Sequence, residues 1–525
     1  MTNSADLPHF RARRTLAEIA VVATSLTLLI AIFAAWACSN GYLLWYGDAQ
    51  AHLNISRSLV DSRTPGYSQL GTVWLPLLHV LCLPFVRNDW MWSAGLAGTI
   101  PVAACFVFAA TCLYLSARIV YSGRLPAVVV LLCFALNPNL LYLGVIPMTE
   151  VVFLAALTLL LLCYVRFRVA GARIWLAGSV AALWAMCLTR YDGWFLIPFA
   201  ALWLAYGAPR ARFRLAIVIG LLASIAPIAW MVWNWFETGN ALDFFNGPYS
   251  AKAIQGGKPY PGFHDWPLAT LYYGAAAVLC TGWPLLLTGI AGVVYAARTR
   301  TLAAVSLLAL TPAFYIWSIH SSQTPVFVPQ LPPHGHYNTR YGIAVVPLAA
   351  FSAGALVNGM RPAWKRYALL VPLFCFLPWL LSPTPDNWVC WRESRLNSIS
   401  RRAWTAQAVN YLDAHYEPKQ GILTEFGDLT GIFCRARIRL RETLHEGNGP
   451  AYWGGSMRSD LLHPASWAIA QYGDRLSHFL HDDRTSAYRI VQQIDVAGAP
   501  VLEIYERRLL TEPDDHDSVH KAARR

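Results

Sequence analysis

Apolar runs and short polar connections alternate along most of the chain. The runs fall near 16–37, 91–118, 125–143, 150–167, 173–189, 194–207, 214–235, 266–296, 301–320, 340–359 and 366–382. At roughly 20 residues per membrane crossing, this pattern predicts a polytopic α-helical membrane protein with about eleven transmembrane helices. The stretch "WLPLLHVLCLPFV" (74–86) is apolar but short and flanked by proline, and reads as an interfacial or re-entrant segment. From 383 the pattern changes. A helical period is expected over 400–416, with Trp404, Ala408, Tyr411 and Leu412 near one face. "GILTEFGDLTGIF", "YRIVQQID" and "PVLEIYERR" read as strands. The expected organisation is a membrane part at 1–382, with outer loops at 38–90, 236–265 and 321–339. A soluble α/β or α+β domain follows at 383–508, then a polar, disordered tail at 509–525.

Composition agrees with this division. The 525 residues are 56% hydrophobic and only 13% charged, against about one-quarter charged in a soluble domain. The net charge of +12 is unevenly spread: from Pro383 onward there are 18 basic and 19 acidic residues, so the excess lies in the membrane part. No basic soluble face is left for nucleic acid. Most cysteines lie inside apolar runs and read as small buried hydrophobes. Cys390 and Cys434 lie in the tail region, where an oxidising compartment could pair them.

Charge also orients the spans. "SARIVYSGRLP", "RFRVAGAR", "YGAPRARFR", "AARTRT" and "NGMRPAWKRY" carry Arg or Lys and no carboxylate, and "FRARR" precedes the first span. The positive-inside rule places these segments in the cytoplasm. The first span is long and lacks a cleavage motif, so a retained anchor is expected. Asp48, Asp61, Asp89, Glu150, Asp192, Glu237, Asp243 and Asp265 then fall on the opposite side. An odd number of spans puts the C-terminal domain outside as well.

Four outer elements hold candidate chemistry. A short helix over 48–61 sets Asp48, His52 and Ile55 on one face. Asp48 lies near its N-terminus, where a carboxylate also serves as a cap. Thr149 and Glu150 head a span, another position where an acid suits the helix dipole. "TRYDGW" sets Arg190 and Asp192 between spans, and its plain reading is a local ion pair. Two Gly/Pro-rich loops offer Tyr249, Lys252, Lys258 and His264, then His320, His334, His336, Tyr337, Arg340 and Tyr341. The plain alternative for Lys258 and Arg340 is contact with lipid headgroups. A divalent metal held by Asp48, His52, His320 and the "HGH" pair is compatible with the residue types, although the spacing matches no metal signature. A phosphate-binding Gly-rich loop and a G-x-S-x-G elbow are both missing from the sequence.

"GDAQAHL" at 47–53, "MTE" at 148–150, "NGPYSAKAI" at 246–254 and "NTRYG" at 338–342, in this topology, resemble the polyprenyl-phosphate-sugar-dependent glycosyltransferases of the C superfamily (GT-C). The likeness is to the family 39-like members, among them the protein O-mannosyltransferases and the lipid A aminoarabinose transferase. It covers 1–382. Where many members carry an Asp-Glu pair, this chain has Asp48 followed by Ala49. That departure weakens any scheme needing two acids or a metal and leaves a single base intact. The resemblance implies a sugar donor anchored in the bilayer by a polyprenyl phosphate. Its partners would be the lipid bilayer and an extracytoplasmic glycan, lipid or protein acceptor. It further implies inversion at the anomeric carbon, with Asp48 as base and Arg340, Lys252 or Lys258 on the leaving phosphate. Glu150 and His52 would orient the acceptor or Asp48, and His320, Tyr341, Tyr249 and Asp192 would line the substrates. A transporter or lipid flippase, or a non-catalytic member of the fold, is the alternative. Transporters set ionisable groups at mid-span, whereas the acids here gather at span ends.

Overall fold

The computed structural model describes residues 7–121, 123–208, 210–299, 301–322, 324–449, 453–454, 465–482 and 487–507. The tail expected to be disordered, 509–525, lies outside the described residues. The chain separates into two compact units. One takes the chain through Leu53 and Leu70–Asn397; the other takes Asn54–Gln69 and the chain from Ser398 onward.

The first unit is helical. Among the described residues, six helices are long and apolar enough to cross a membrane, and the chain is a multi-pass membrane protein. A seventh span results if the bent pair Trp266–Thr281 and Trp283–Ala297 is a single crossing. The difference from about eleven is one of breakage. The run 125–143 divides into Leu125–Ala135 and Pro138–Leu143. The run 173–189 yields 15 helical residues, Arg173–Cys187, and 366–382 yields only Leu370–Cys375 and Leu377–Leu381. "WLPLLHVLCLPFV" contains a helix of 10 residues, Leu77–Val86.

Each break has a local cause. Asn137 caps the helix after it by accepting from the Leu140 amide, with Pro138 at the first turn. The pair 266–281 and 283–297 bends by 109° at Gly282, whose φ is +79°. The carbonyl of Cys280, left over at that bend, accepts from the amides of Asn137 at 3.0 Å and Asn139 at 3.1 Å. In an apolar surround such end groups need internal partners. At the far end of the unit, Glu18 of helix Leu7–Ser39 pairs with Arg118 at 2.8 Å and Arg124 at 3.1 Å. The approach of the first helix and the "SARIVYSGRLP" connection therefore share one end of the unit.

The second unit is built on a five-stranded sheet in the order β2-β1-β3-β5-β4. The strands are β1 (Ile422–Thr424), β2 (Thr443–Leu444), β3 (Trp467–Gln471), β4 (Tyr488–Ile494) and β5 (Leu502–Arg507). β2, β1 and β3 run parallel, while β5 is antiparallel to both β3 and β4. Leu423, Leu444, Ala468, Leu476, Leu480 and Tyr505 form its core. The "GILTEFGDLTGIF" stretch is a strand only at its start; Thr430–Ala436 is helix. Asp61 belongs to this unit, buried between Arg57 at 2.7 Å and Arg441 at 2.5 Å. Cys390 and Cys434 are both free thiols. The Cys390 sulfur lies 3.9 Å from that of Cys280, which is the thiol next to it inside the first unit.

Candidate active site

The helix predicted over 48–61 spans Gly47–Ser58, with Asp48 in its first turn. Its carboxylate does not cap that helix. Oδ2 accepts from Arg340 Nη2 at 2.7 Å, and Oδ1 has no hydrogen bond among the described residues. The side chain is 45% exposed, the only open carboxylate of its group.

Arg340 is the centre of that group. It lies in a 3₁₀ turn, Thr339–Ala344, that leads into helix Val345–Asn358. Gly342 lets the turn press onto helix Trp266–Thr281, since a Cβ there would lie 2.3 Å from the Ala276 carbonyl oxygen. Arg340 spends every edge of its guanidinium on a different carboxylate. Nη2 reaches Asp48, Nε reaches Glu150 at 3.1 Å and Nη1 reaches Glu393 at 2.8 Å. Its backbone N–H donates to Glu393 Oε2 at 2.9 Å. Glu150, in the first turn of helix Thr149–Ala170, shares Oε1 with Arg190 at 3.3 Å. Arg190 also binds Asp192 at 3.2 Å and the Thr149 hydroxyl at 2.8 Å. The Tyr341 ring lies 5.2 Å from the Arg340 guanidinium and 5.0 Å from that of Arg190. Two guanidiniums thus face four carboxylates, and the cluster is net anionic when all are ionised.

A cavity of about 530 Å³ opens beside this network. Asp48, His52, Glu150, Asp192, Lys252, Arg340 and Tyr341 line it, with aromatic walls that include Trp74, Tyr191, Trp194, Phe244 and Tyr315. A few convergent polar groups in an aromatic pocket are the usual form of a small-molecule site. The second oxygen of Glu150, Oε2, is buried with no hydrogen-bond partner among the described residues. Lys252 lines the cavity 5.3 Å from the Phe245 ring and makes no ion pair among the described residues. The other expected residues lie outside the lining. Lys258 and Tyr249 are exposed, and His320 stacks on Trp266 at 3.9 Å.

His52 is buried, lies 4.2 Å from the Trp74 ring and pairs through Nδ1 with His79 Nε2 at 2.9 Å. Burial, reinforced by the charges of Arg190 and Arg340, lowers its pKa from 6.5 to about 3, so the imidazole is neutral. A histidine depressed in the folded state contributes stability above its unfolded value of 6.5 and loses it as pH falls towards 3. The expected loss is on the order of 1–2 kcal/mol between about pH 6.5 and pH 5. Thermal unfolding in detergent should show a steeper fall for the wild type than for His52→Gln across that window. Parallel curves would contradict the buried neutral imidazole.

The donors do not fit a divalent ion. Among the described residues no three His, Cys, Asp or Glu side chains cluster as ligands of one ion. The position a cation would take between Asp48, Glu150 and Glu393 is filled by the Arg340 guanidinium, and His52 Nδ1 faces His79.

Two participants escape a motif-based reading. Arg190 does form the local ion pair expected of "TRYDGW", but it also reaches Glu150 on another helix. Glu393 belongs to no motif. A usable signal was its helical spacing, since Cys390, Glu393 and Ser394 share a face of helix Val389–His415 and all three are buried.

No protein-family model matches the chain, and no curated protein matches it by sequence. Among solved structures it is similar to ArnT from Cupriavidus metallidurans bound to undecaprenyl phosphate. The TM-score is 0.56 and the identity 12%, over 90% of this chain and 97% of that one. It is also similar to the apo oligosaccharyltransferase of Archaeoglobus fulgidus, at TM-score 0.49 and 13% identity, over 86% of this chain and 69% of that one. The complex of that enzyme with Zn and sulfate gives 0.44 and 13%, over 86% and 68%. The likeness to ArnT is one of fold.

Proposed function

We propose that the chain is an integral membrane glycosyltransferase. It moves a sugar from a polyprenyl-phosphate donor to an acceptor hydroxyl, with inversion, on the outer face of the cell membrane. The N-terminus is then cytoplasmic and the C-terminal domain extracytoplasmic, and the acceptor is an extracytoplasmic glycan, lipid or protein. The observation that carries this reading is Asp48: a half-open carboxylate at a cavity wall, with one oxygen fixed by Arg340 and the other uncommitted. The fold shared with ArnT, whose structure holds undecaprenyl phosphate, supports the donor class.

In this mechanism Asp48 Oδ1 takes the proton from the acceptor hydroxyl. The hydroxyl oxygen bonds to the anomeric carbon from the face opposite the phosphate. The carbon–oxygen bond to phosphate breaks, and the lipid phosphate leaves with its electron pair. Glu150 Oε2, buried and without a partner among the described residues, would accept a hydrogen bond from a hydroxyl of the sugar or acceptor. Arg340, committed to three carboxylates, serves Asp48 rather than the phosphate. The phosphate falls to Lys252, the cavity cation that makes no ion pair among the described residues.

The test is a transfer assay in lipid nanodiscs with a radiolabelled polyprenyl-phosphate sugar and an envelope extract as acceptor. Release of lipid phosphate with formation of an inverted glycosidic bond is expected. Movement of intact donor across the bilayer of proteoliposomes, without bond cleavage, would instead indicate a transporter. In the same assay Lys252→Ala should raise the donor KM by about tenfold with kcat nearly unchanged. An unaltered KM would remove Lys252 from the phosphate site.

A further inference from the structure

Glu393 lies one turn into helix Val389–His415, and its side chain is 1% exposed. Both of its oxygens bind the same residue. Oε1 accepts from Arg340 Nη1 at 2.8 Å, and Oε2 accepts from the Arg340 backbone N–H at 2.9 Å. This grip fixes where the residue starts and how its guanidinium is turned. A guanidinium is a rigid plane, so holding Nη1 also sets the direction of Nη2, the atom that meets Asp48. The helix end is itself anchored. The Cys390 N–H donates to Asn139 Oδ1 at 2.9 Å, and the Tyr46 hydroxyl donates to the Cys390 carbonyl at 2.7 Å.

We infer that Glu393 is a positioning residue for the transfer reaction proposed above, on which this inference rests. It orients Arg340 against the Asp48 base and offsets the charge that Arg340 would otherwise bring to bear on it. A guanidinium with no other anion would favour the ionised form of its carboxylate partner and weaken it as a proton acceptor. Glu393, with Glu150, divides that charge. The charged and titratable groups around Glu393 are Arg340 and Glu150 from other helices, Cys390 on its own helix, and the hydroxyls of Tyr46 and Tyr337. Arg340 is the only cation among them, so loss of Glu393 has an effect of one sign.

The test compares Glu393→Gln and Glu393→Asp with the wild type in the transfer assay, alongside a cryo-EM structure of each variant. Glu393→Gln should lower kcat by about 10- to 100-fold while the donor KM stays within about threefold. The acidic limb of kcat/KM against pH should move to lower pH. Glu393→Asp, which keeps the charge, should return the limb towards the wild-type position. A purely structural role would reduce the folded fraction and leave the limb in place. An unmoved limb, or a limb that moves to higher pH, overturns the inference. If Glu393→Gln does not fold, the Asp variant decides by kcat and by the Arg340 position. If the wild type transfers no sugar, the functional reading fails separately. The structures then decide: a guanidinium turned from its wild-type orientation while still beside Asp48 supports the positioning role, and an unchanged orientation refutes it.

Discussion

Asp48→Asn should abolish sugar transfer and leave the protein folded. Removing a general base lowers turnover by about 10²–10⁴-fold, and among the described residues the other acids of the network are buried against guanidiniums, Asp192 against Arg190 and the rest against Arg340. Glu150 and Glu393 are buried and bound to Arg340, and His52 is a neutral imidazole paired with His79. Folding should survive because Asp48 is 45% exposed, and Arg340 keeps two fully buried carboxylates when Asp48 becomes neutral. An asparagine carbonyl can still accept from Nη2. The discriminating measurement is kcat in nanodiscs together with the thermal-unfolding midpoint. Near-native turnover in a well-folded Asn variant would mean that another group takes the proton.

How much of this site was legible in the sequence depends on how far apart its partners lie. Asp48, Glu150 and Arg340 could be marked because each sits in a short polar motif beside a long apolar run, where a charge needs a reason. Their convergence on one guanidinium could not be read, since it depends on contacts between residues 190 and more apart in the chain. Glu393 was hidden for a different reason. Its helix is polar enough to look soluble, so a carboxylate there carries no surprise. The capping reading of Asp48 rested on position alone, and a cation from another helix outweighs it. Fewer long apolar helices form than the eleven expected, because hydropathy sees length and composition. Gly282 and the Asn137–Pro138 step break apolar runs without making them any less apolar. In the second unit, β3 was missed because "WAIAQ" is too short to show alternation and is buried nearly throughout.

Arg340→Ala should cause the largest loss of stability among these variants, for a reason different from the one its motif suggests. As a phosphate ligand facing open cavity, Arg340 could be truncated at the expense of donor binding alone. As placed, it is the counter-charge of a buried cluster. Glu150 would keep Arg190, but Glu393 would lose the one cationic partner it has among the described residues and retain one backbone N–H. Breaking a buried ion pair from one side costs about 3–5 kcal/mol, because the remaining charge stays buried. The variant can relieve that cost by protonating Glu393. Burial already pushes this carboxyl upward while Arg340 pulls it back, so without Arg340 the upward push is unopposed. A carboxyl raised in the folded state contributes stability below its unfolded value of 4.5 and loses it as pH rises through the folded value. The deficit of Arg340→Ala relative to wild type should therefore be smaller near pH 5 than near pH 8. Adding Glu393→Gln to Arg340→Ala should raise the unfolding midpoint instead of lowering it further, since it removes the orphaned charge. Strictly additive losses in the double variant, with a deficit independent of pH, would mean that the two side chains do not share one electrostatic unit.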